Sequence, residues 1–176
     1  MKIKFWNDPK NKKFKNAYFT KYKNIWHHGD FIQKTKNGGF IIYGRSDATL
    51  NPGGVRIGTA EIYRQVEKIN FIRESLVVGQ EKDGDVKILL FVVMNNKNKL
   101  SDSDINFIKK KIKKDCSPKH VPHKVIKIDE IPRTKSGKIV ELAVRKLING
   151  EVLDNKEAIA NPKSLDFFKD IKELSN

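Results

Sequence analysis

Apolar residues alternate with polar ones or run together over residues 31–34 and 39–44, on either side of Asn37-Gly38. Asn-Gly tolerates the positive φ angles of a tight turn, so this pattern predicts a β-hairpin. Beyond it the spacing becomes that of helices and strands in turn. Ile62, Val66 and Ile69 recur on one helical face, and Thr59 can cap a helix running to about residue 69. Strands are expected at about 75–79 and 86–94, separated by Lys82-Asp83-Gly84-Asp85, a turn by composition. Ser101 opens the next helix with Asp104 three residues on, a variant of the capping box, and Ile105, Ile108 and Ile112 give it an apolar stripe. That stripe reads as core, with the neighbouring lysines on the far side. Pro118 and Pro122 mark the helix exit, and a short strand is expected over 124–128. Residues 138–148 read as a final domain helix ended by Asn149-Gly150. From Asn161-Pro162 onward, Leu165, Phe168, Ile171 and Leu174 can form one side of an amphipathic helix. There are no internal repeats, and the sum is an α+β fold.

Residues 1–24 fit this pattern least. They are rich in lysine and asparagine yet carry Phe5, Trp6, Phe14, Tyr18, Phe19 and Tyr22. So many aromatics in a short stretch are expected to need another surface to pack against.

Length and charge narrow the reading. The 176 residues allow one ordinary domain, or a small domain with an attached fragment. The net charge of +15 invites a nucleic-acid reading. Of 36 basic residues, however, only six are arginine (Arg45, Arg56, Arg64, Arg73, Arg133, Arg145), and the lysines are spread along the chain with many asparagines. The denser run Lys109-Lys110-Lys111 with Lys113-Lys114 reads as a solvated helix face, with phosphate contact as the alternative. Cys116 is the single cysteine, which excludes an internal disulfide and a cysteine-based metal site and fits a reducing cytoplasm. No apolar stretch approaches the ~18 residues that span a bilayer. Met1-Lys2-Ile3-Lys4 is not followed by an apolar signal core, so a cytoplasmic location is expected, without a membrane partner.

The chemistry concentrates at residues 43–62. Gly53-Gly54 frees the backbone to turn sharply and lets a ligand approach where no Cβ intrudes. Arg45 and Arg56 flank the turn, each a planar cationic fork suited to phosphate or ribose oxygens. Taken alone, this is also the look of a strand, a Pro-Gly-Gly turn and a helix cap with surface arginines. A second stretch, Ser136-Gly137-Lys138, has the end of a Walker loop, but that loop needs glycine where this chain has Pro132. A P-loop is therefore excluded.

Three motifs in order resemble the adenylate-forming acyl-CoA synthetases: His28-Gly29-Asp30, then Gly44-Arg45-Ser46-Asp47, then Pro132-Arg133-Thr134-Lys135-Ser136-Gly137-Lys138-Ile139. Within that superfamily, residues 48–63 are most similar to the acetoacetyl-CoA synthetases; acetyl-CoA synthetases usually have Ser-Gly-His where this chain has Gly53-Gly54-Val55. The resemblance implies the small mobile C-terminal domain of an acyl-CoA synthetase, a small sheet with packed helices, preceded by a β-hairpin remnant of the large N-terminal domain. The implied boundaries are 1–46 for the end of the large domain, 47–150 for the C-terminal domain and 151–176 for an extension with a helix.

The implied reaction joins acetoacetate, ATP and CoA through an acyl-adenylate, with Mg2+ accompanying ATP and bound mainly by the large domain. Lys138 is then the catalytic lysine of the adenylation step. Asp30 and Arg45 contact the ATP ribose, and the hairpin lets the two converge. Arg56 contacts the ATP phosphates, Gly53 and Gly54 let the CoA arm pass, and Asp47 is the hinge. Related enzymes carry a CoA-binding cation about 25 residues before the catalytic lysine; here that position is Lys113, with Lys114 as rival. No metal ligand set is implied within the chain, and His28 reads as a structural or partly exposed histidine and not a metal ligand. The large domain would be needed in cis or in trans, so the chain is expected to be incomplete for catalysis alone. Other readings are a ligase for another short acid such as acetate, a non-catalytic regulatory copy, and a basic nucleic-acid- or anion-binding module.

Overall fold

The computed structural model describes residues 5–95, 99–153, 156–169, 171 and 174. The chain forms two units, Met1–Asp30 and Phe31–Asn176.

In the first unit a short helix, α1 (Lys12–Tyr18), starts where Asp8 Oδ2 accepts the Phe14 N–H at 2.9 Å. The aromatics expected to need an outside surface pack largely on one another. Tyr18 stacks on Trp26 with centroids 4.0 Å apart, Phe14 meets Tyr18 edge-on at 5.4 Å, and Phe19 meets Trp26 at 5.8 Å. Trp6 stays outside this cluster, 95% exposed.

The expected hairpin follows, β1 (Asp30–Lys34, all but its first residue in the second unit) and β2 (Phe40–Arg45), closed by Thr35 N–H to Gly39 O at 2.8 Å. There follow α2 (Thr59–Val66), β3 (Ile72–Lys82), β4 (Asp85–Met94), α3 (Asp102–Asp115), β5 (Lys124–Lys127) and α4 (Glu141–Ile148). A 3-10 turn, Pro162–Phe168, comes after them. The sheet order is β3-β4-β5, with β3 antiparallel to β4 (Leu76 opposite Phe91, Val77 opposite Leu90) and β5 parallel to it.

β4 explains the layers. Its side chains alternate between faces, so a strand covered on one side would read apolar-polar; Ile88 to Met94 is apolar without a break. Ile88, Leu90 and Val92 join α2 and α3 through Ile62, Val66, Ile108 and Ile112. Leu89, Phe91 and Val93 face α4 and the 3-10 turn through Val144 and Phe168, with Phe91 and Phe168 edge-on at 4.8 Å.

Several boundaries differ from expectation. α2 begins after Gly58, whose N–H donates to Glu61 Oε1 at 2.9 Å, so Thr59 is its first residue and not its cap. It ends at Val66, and Ile69 is buried from a turn. α4 starts at Glu141 because Lys138 is held in a return loop, where its carbonyl accepts the Thr134 N–H at 2.8 Å. The expected amphipathic helix from Asn161 is a 3-10 turn that buries Leu165 and Phe168, while Ile171 and Leu174 pack against the same cluster. The rest of that expected helix, beyond Lys169, lies outside the described residues. Ser101 caps α3 as expected, accepting the Asp104 N–H at 3.2 Å.

Two contacts tie the elements that flank residues 43–62. A Cβ on Gly58 would lie 2.1 Å from the Tyr43 carbonyl oxygen, so only glycine lets α2 start against β2. The Tyr63 hydroxyl of α2 accepts the Val77 N–H at 3.0 Å and donates to Glu141 Oε1 at 2.7 Å, joining α2, β3 and α4. Burial pushes the Tyr63 phenol well above its usual range, with Glu141 adding to the effect; burial likewise raises the Glu141 carboxyl above 4.5.

Gly58→Ala should destabilise the second unit by about 1–3 kcal/mol, the cost of overpacking against fixed backbone, read from urea unfolding. Glu141 gives a pH test. Its folded pKa is raised, so its contribution is full below the unfolded carboxyl's pKa and is lost as pH rises through the raised one. The stability of wild type relative to Glu141→Gln, which keeps an acceptor for Tyr63, should therefore fall as pH rises from about 4. A flat difference across that range would exclude a raised Glu141.

Candidate active site

The return loop carrying Lys138 opens onto a cleft of about 700 Å³ whose lining includes Arg45, Thr59, Tyr63, Lys138, Glu141 and Ile159. Its floor is the Tyr63–Glu141 pair, and Lys138 itself is exposed at the cleft. Arg45 and Lys138 thus share one cleft although 92 positions separate Arg45 from Gly137, the residue before Lys138.

Asp47, the expected hinge residue, is gripped from two sides. Arg45 Nε and Nη2 donate to its two carboxylate oxygens at 3.0 and 2.8 Å, a fork-to-fork geometry. This hydrogen-bonded guanidinium is the main cause of an Asp47 carboxyl held below its usual range. From α4, Arg145 Nη1 donates to the Asp47 carbonyl at 3.0 Å, and Nη2 donates to Glu81 Oε1 at 3.0 Å.

The glycine turn adopts the conformation expected of it. Gly53 and Gly54 both have left-handed φ, 55° and 77°, which side chains rarely adopt. Gly53 N–H donates to Asp85 Oδ1 at 2.7 Å, fastening the turn to the β3–β4 hairpin. A Cβ on Gly53 would meet Lys119 Nζ at 2.6 Å, whereas one on Gly54 would meet nothing within 4 Å. Gly54 is thus open on its outer side.

Arg56 stands elsewhere. Its guanidinium carbon lies 5.7 Å from the Phe31 ring centroid, and it lines a separate pocket of about 480 Å³ with Phe31, Tyr43 and Glu61. Lys113 is exposed in the last turn of α3, and neither pocket includes it. In the first unit, Asp30 pairs with His28 Nδ1. Among the described residues no cluster of three or more His, Cys, Asp or Glu side chains could hold a metal ion. No helix among them is long and apolar enough to cross a membrane.

Three residues escaped the sequence reading. Lys119 places its ammonium over Gly53, Arg145 reaches Asp47, and Arg133 holds the lysine loop by donating to Gly137 O at 2.8 Å and Glu74 Oε2 at 2.6 Å. Arg133 sat inside a noticed motif. The scarcity of arginine among the basic residues was the available signal for Arg145, and nothing in the sequence marked Lys119.

No family model matches the chain. It is 52% identical over 176 residues to the acetoacetyl-coenzyme A synthetase of Rhizobium meliloti, covering 100% of this chain and 27% of that protein. The acetoacetyl-CoA synthetase of Xenopus tropicalis is 43% identical over 174 residues, covering 98% of this chain and 26% of its own length. Among solved structures, acetoacetyl-CoA synthetase from Streptomyces lividans superposes with a TM-score of 0.88 at 40% identity, covering 100% of this chain and 27% of that one. A benzoate CoA ligase from Burkholderia xenovorans superposes with a TM-score of 0.67 at 26% identity, over 81% of this chain and 27% of its own. The chain therefore spans about a quarter of the length of the relatives it matches. Matched end to end in sequence and fold, the chain corresponds to the C-terminal part of acetoacetyl-CoA synthetases, longer ligases of the adenylate-forming superfamily.

Proposed function

We propose that this chain is the lysine-bearing mobile part of an acetoacetate–CoA ligase and works with a large adenylate-forming domain supplied in cis or in trans. The observation that carries the reading is the end-to-end match to acetoacetyl-CoA synthetases, with Lys138 exposed on a loop at the cleft that Arg45 shares. In the first step acetoacetate attacks the α-phosphate of ATP, giving the acyl-adenylate and pyrophosphate. Negative charge grows on the phosphoryl and bridging oxygens, and the Lys138 ammonium stabilises it. In the second step CoA displaces AMP and forms the thioester. Between the steps the part from Asp47 onward rotates about that residue, withdrawing Lys138 and presenting the turn at Gly53 and Gly54. The open outer side of Gly54 suits the passage of a thin, uncharged pantetheine arm.

The remaining roles follow the same scheme. Asp30 accepts hydrogen bonds from the ATP ribose hydroxyls, and Arg45 contacts that ribose after releasing Asp47. Arg56 serves the ATP phosphates, Lys113 a CoA phosphate, and Mg2+ arrives with ATP on the large domain. In this scheme residues 1–46 belong with the large domain, 47–150 form the mobile domain, 151–176 extend it, and the enzyme works in the cytoplasm.

The two half-reactions separate the two sites. In an enzyme completed by a large domain, Lys138→Ala should lower ATP–pyrophosphate exchange on the order of 10²–10³-fold and leave thioester formation from preformed acetoacetyl-adenylate intact. Gly54→Leu should do the reverse. Intact exchange in Lys138→Ala would overturn the assignment of Lys138, and lost exchange in Gly54→Leu would remove the division of labour between the two.

A further inference from the structure

We propose that residues 156–161 are a positioning clasp for the lysine loop and that Asn161 is its anchor, a role that rests on the reading of Lys138 given above. The loop between Ile131 and Ile139 carries no apolar side chain that could seat it except Pro132. Pro132 is buried at its start, and from Arg133 to Lys138 its placement falls to hydrogen bonds. Inside the loop, Thr134 N–H reaches Lys138 O at 2.8 Å and Lys138 N–H reaches Thr134 Oγ1 at 3.1 Å. These fix its shape and leave its position to be set from outside.

One external tie is Arg133 to Glu74 on β3. Four others come from the clasp. Asn161 Oδ1 accepts the Arg133 N–H at 2.8 Å, and Asn161 Nδ2 donates to Ile131 O at 3.0 Å. Ala160 N–H donates to Arg133 O at 2.8 Å, and Ala158 O accepts the Lys135 N–H at 3.3 Å. Asn161 Nδ2 also donates to Glu130 Oε1 at 2.8 Å. One amide side chain thus satisfies both a donor and an acceptor of the loop's incoming strand.

The clasp is itself seated. Asn161 O accepts both the N–H and the hydroxyl of Ser164, which is 0% exposed, at 3.0 and 2.6 Å. Leu165 and Phe168 then enter the core, with Phe168 against Phe91. Ala158 and Ile159 turn back to line the same cleft as Lys138. A rigid path therefore runs from the centre of the sheet to the backbone that carries the ammonium. Lysine ends a flexible four-carbon stem, so the position of its Cα decides where the charge can reach. A misplacement of about 1 Å in a catalytic group can cost on the order of 10²-fold.

Asn161→Ala in the 176-residue chain should speed hydrogen exchange of the Arg133, Lys135 and Lys138 amides by at least about 10-fold while Val77 and Phe91 keep theirs. In the completed ligase the same change should lower kcat for adenylation with KM for ATP unchanged, and spare the thioester step. Asn161→Asp keeps the shape and the acceptor for Arg133, and covers an alanine variant that fails to fold. It should act in the same direction, and adding Glu130→Gln, which restores a donor toward the new carboxylate, should recover most of the loss. Loop amides as protected in both single variants as in wild type would overturn the clasp. Exposed loop amides with an undiminished adenylation kcat would overturn its positioning role. Lys138→Ala, assayed alongside, tells that outcome from a failure of the Lys138 assignment itself, because the exchange experiment does not depend on it.

Discussion

The architecture depends on covering β4 on both faces. An unbroken apolar strand cannot be left open to water on either side, so helices must come to each face from distant parts of the sequence. α2 and α3 cover one face, and α4 with the Pro162–Phe168 turn covers the other. That arrangement brings the start of α4 beside α2. The loop that precedes α4 then opens where β2 hands over to α2, and this is why Lys138 and Arg45 face one cleft.

The contacts at the two ends of that cleft differ in kind, and their magnitudes suggest different duties. The Arg45–Asp47 pair is about half exposed on both sides, and Arg145–Glu81 is similarly open. Pairs of this kind contribute about 0.2–1 kcal/mol each. They can hold one arrangement of the segment around Asp47 without locking it. The lysine loop is instead tied through backbone groups to a segment anchored by Phe168 in the core. Such a loop travels with the body that carries it. A weak grip at Asp47 and a firm one around Lys138 are what the proposed rotation of a rigid part about Asp47 would require.

Much of this was legible in the sequence where the signal is local. Asn37-Gly38 specified the hairpin, Ser101 with Asp104 specified the start of α3, and the run from Ile88 to Met94 specified a buried strand. The motif singled out Lys138, and the structure places that residue at the cleft. What failed did so for definable reasons. Periodicity carried α4 back to Lys138, because apolar spacing cannot register a loop held by Thr134. It made a long helix of the segment after Asn161, where burial of Leu165 and Phe168 is satisfied by a 3-10 turn. Thr59 is a good cap by type, yet the close approach of Gly58 to Tyr43 moved the cap one residue back. The contacts of Arg145 and Asn161 span 98 and 28 positions, and no local pattern announces a hydrogen bond across such distances.

The separation of Arg56 from Lys138 bears on how one chain could serve the two proposed chemical steps. Both cations are proposed to serve the phosphates of ATP, yet they line different pockets, Arg56 beside Phe31 and Lys138 beside Thr59. Between them runs α2, fixed to β2 by Gly58 and to α4 by Tyr63. The backbones that carry the two cations cannot close on one another without breaking these ties, which include the part-buried Tyr63–Glu141 hydrogen bond. An unpaired buried group costs about 1–3 kcal/mol, more than the exposed pairs at Asp47 contribute. Motion is therefore cheaper at Asp47 than within the body of the domain. On the proposed reading, changing which cation faces a ligand would fall to rotation about Asp47 and not to rearrangement of the part that turns.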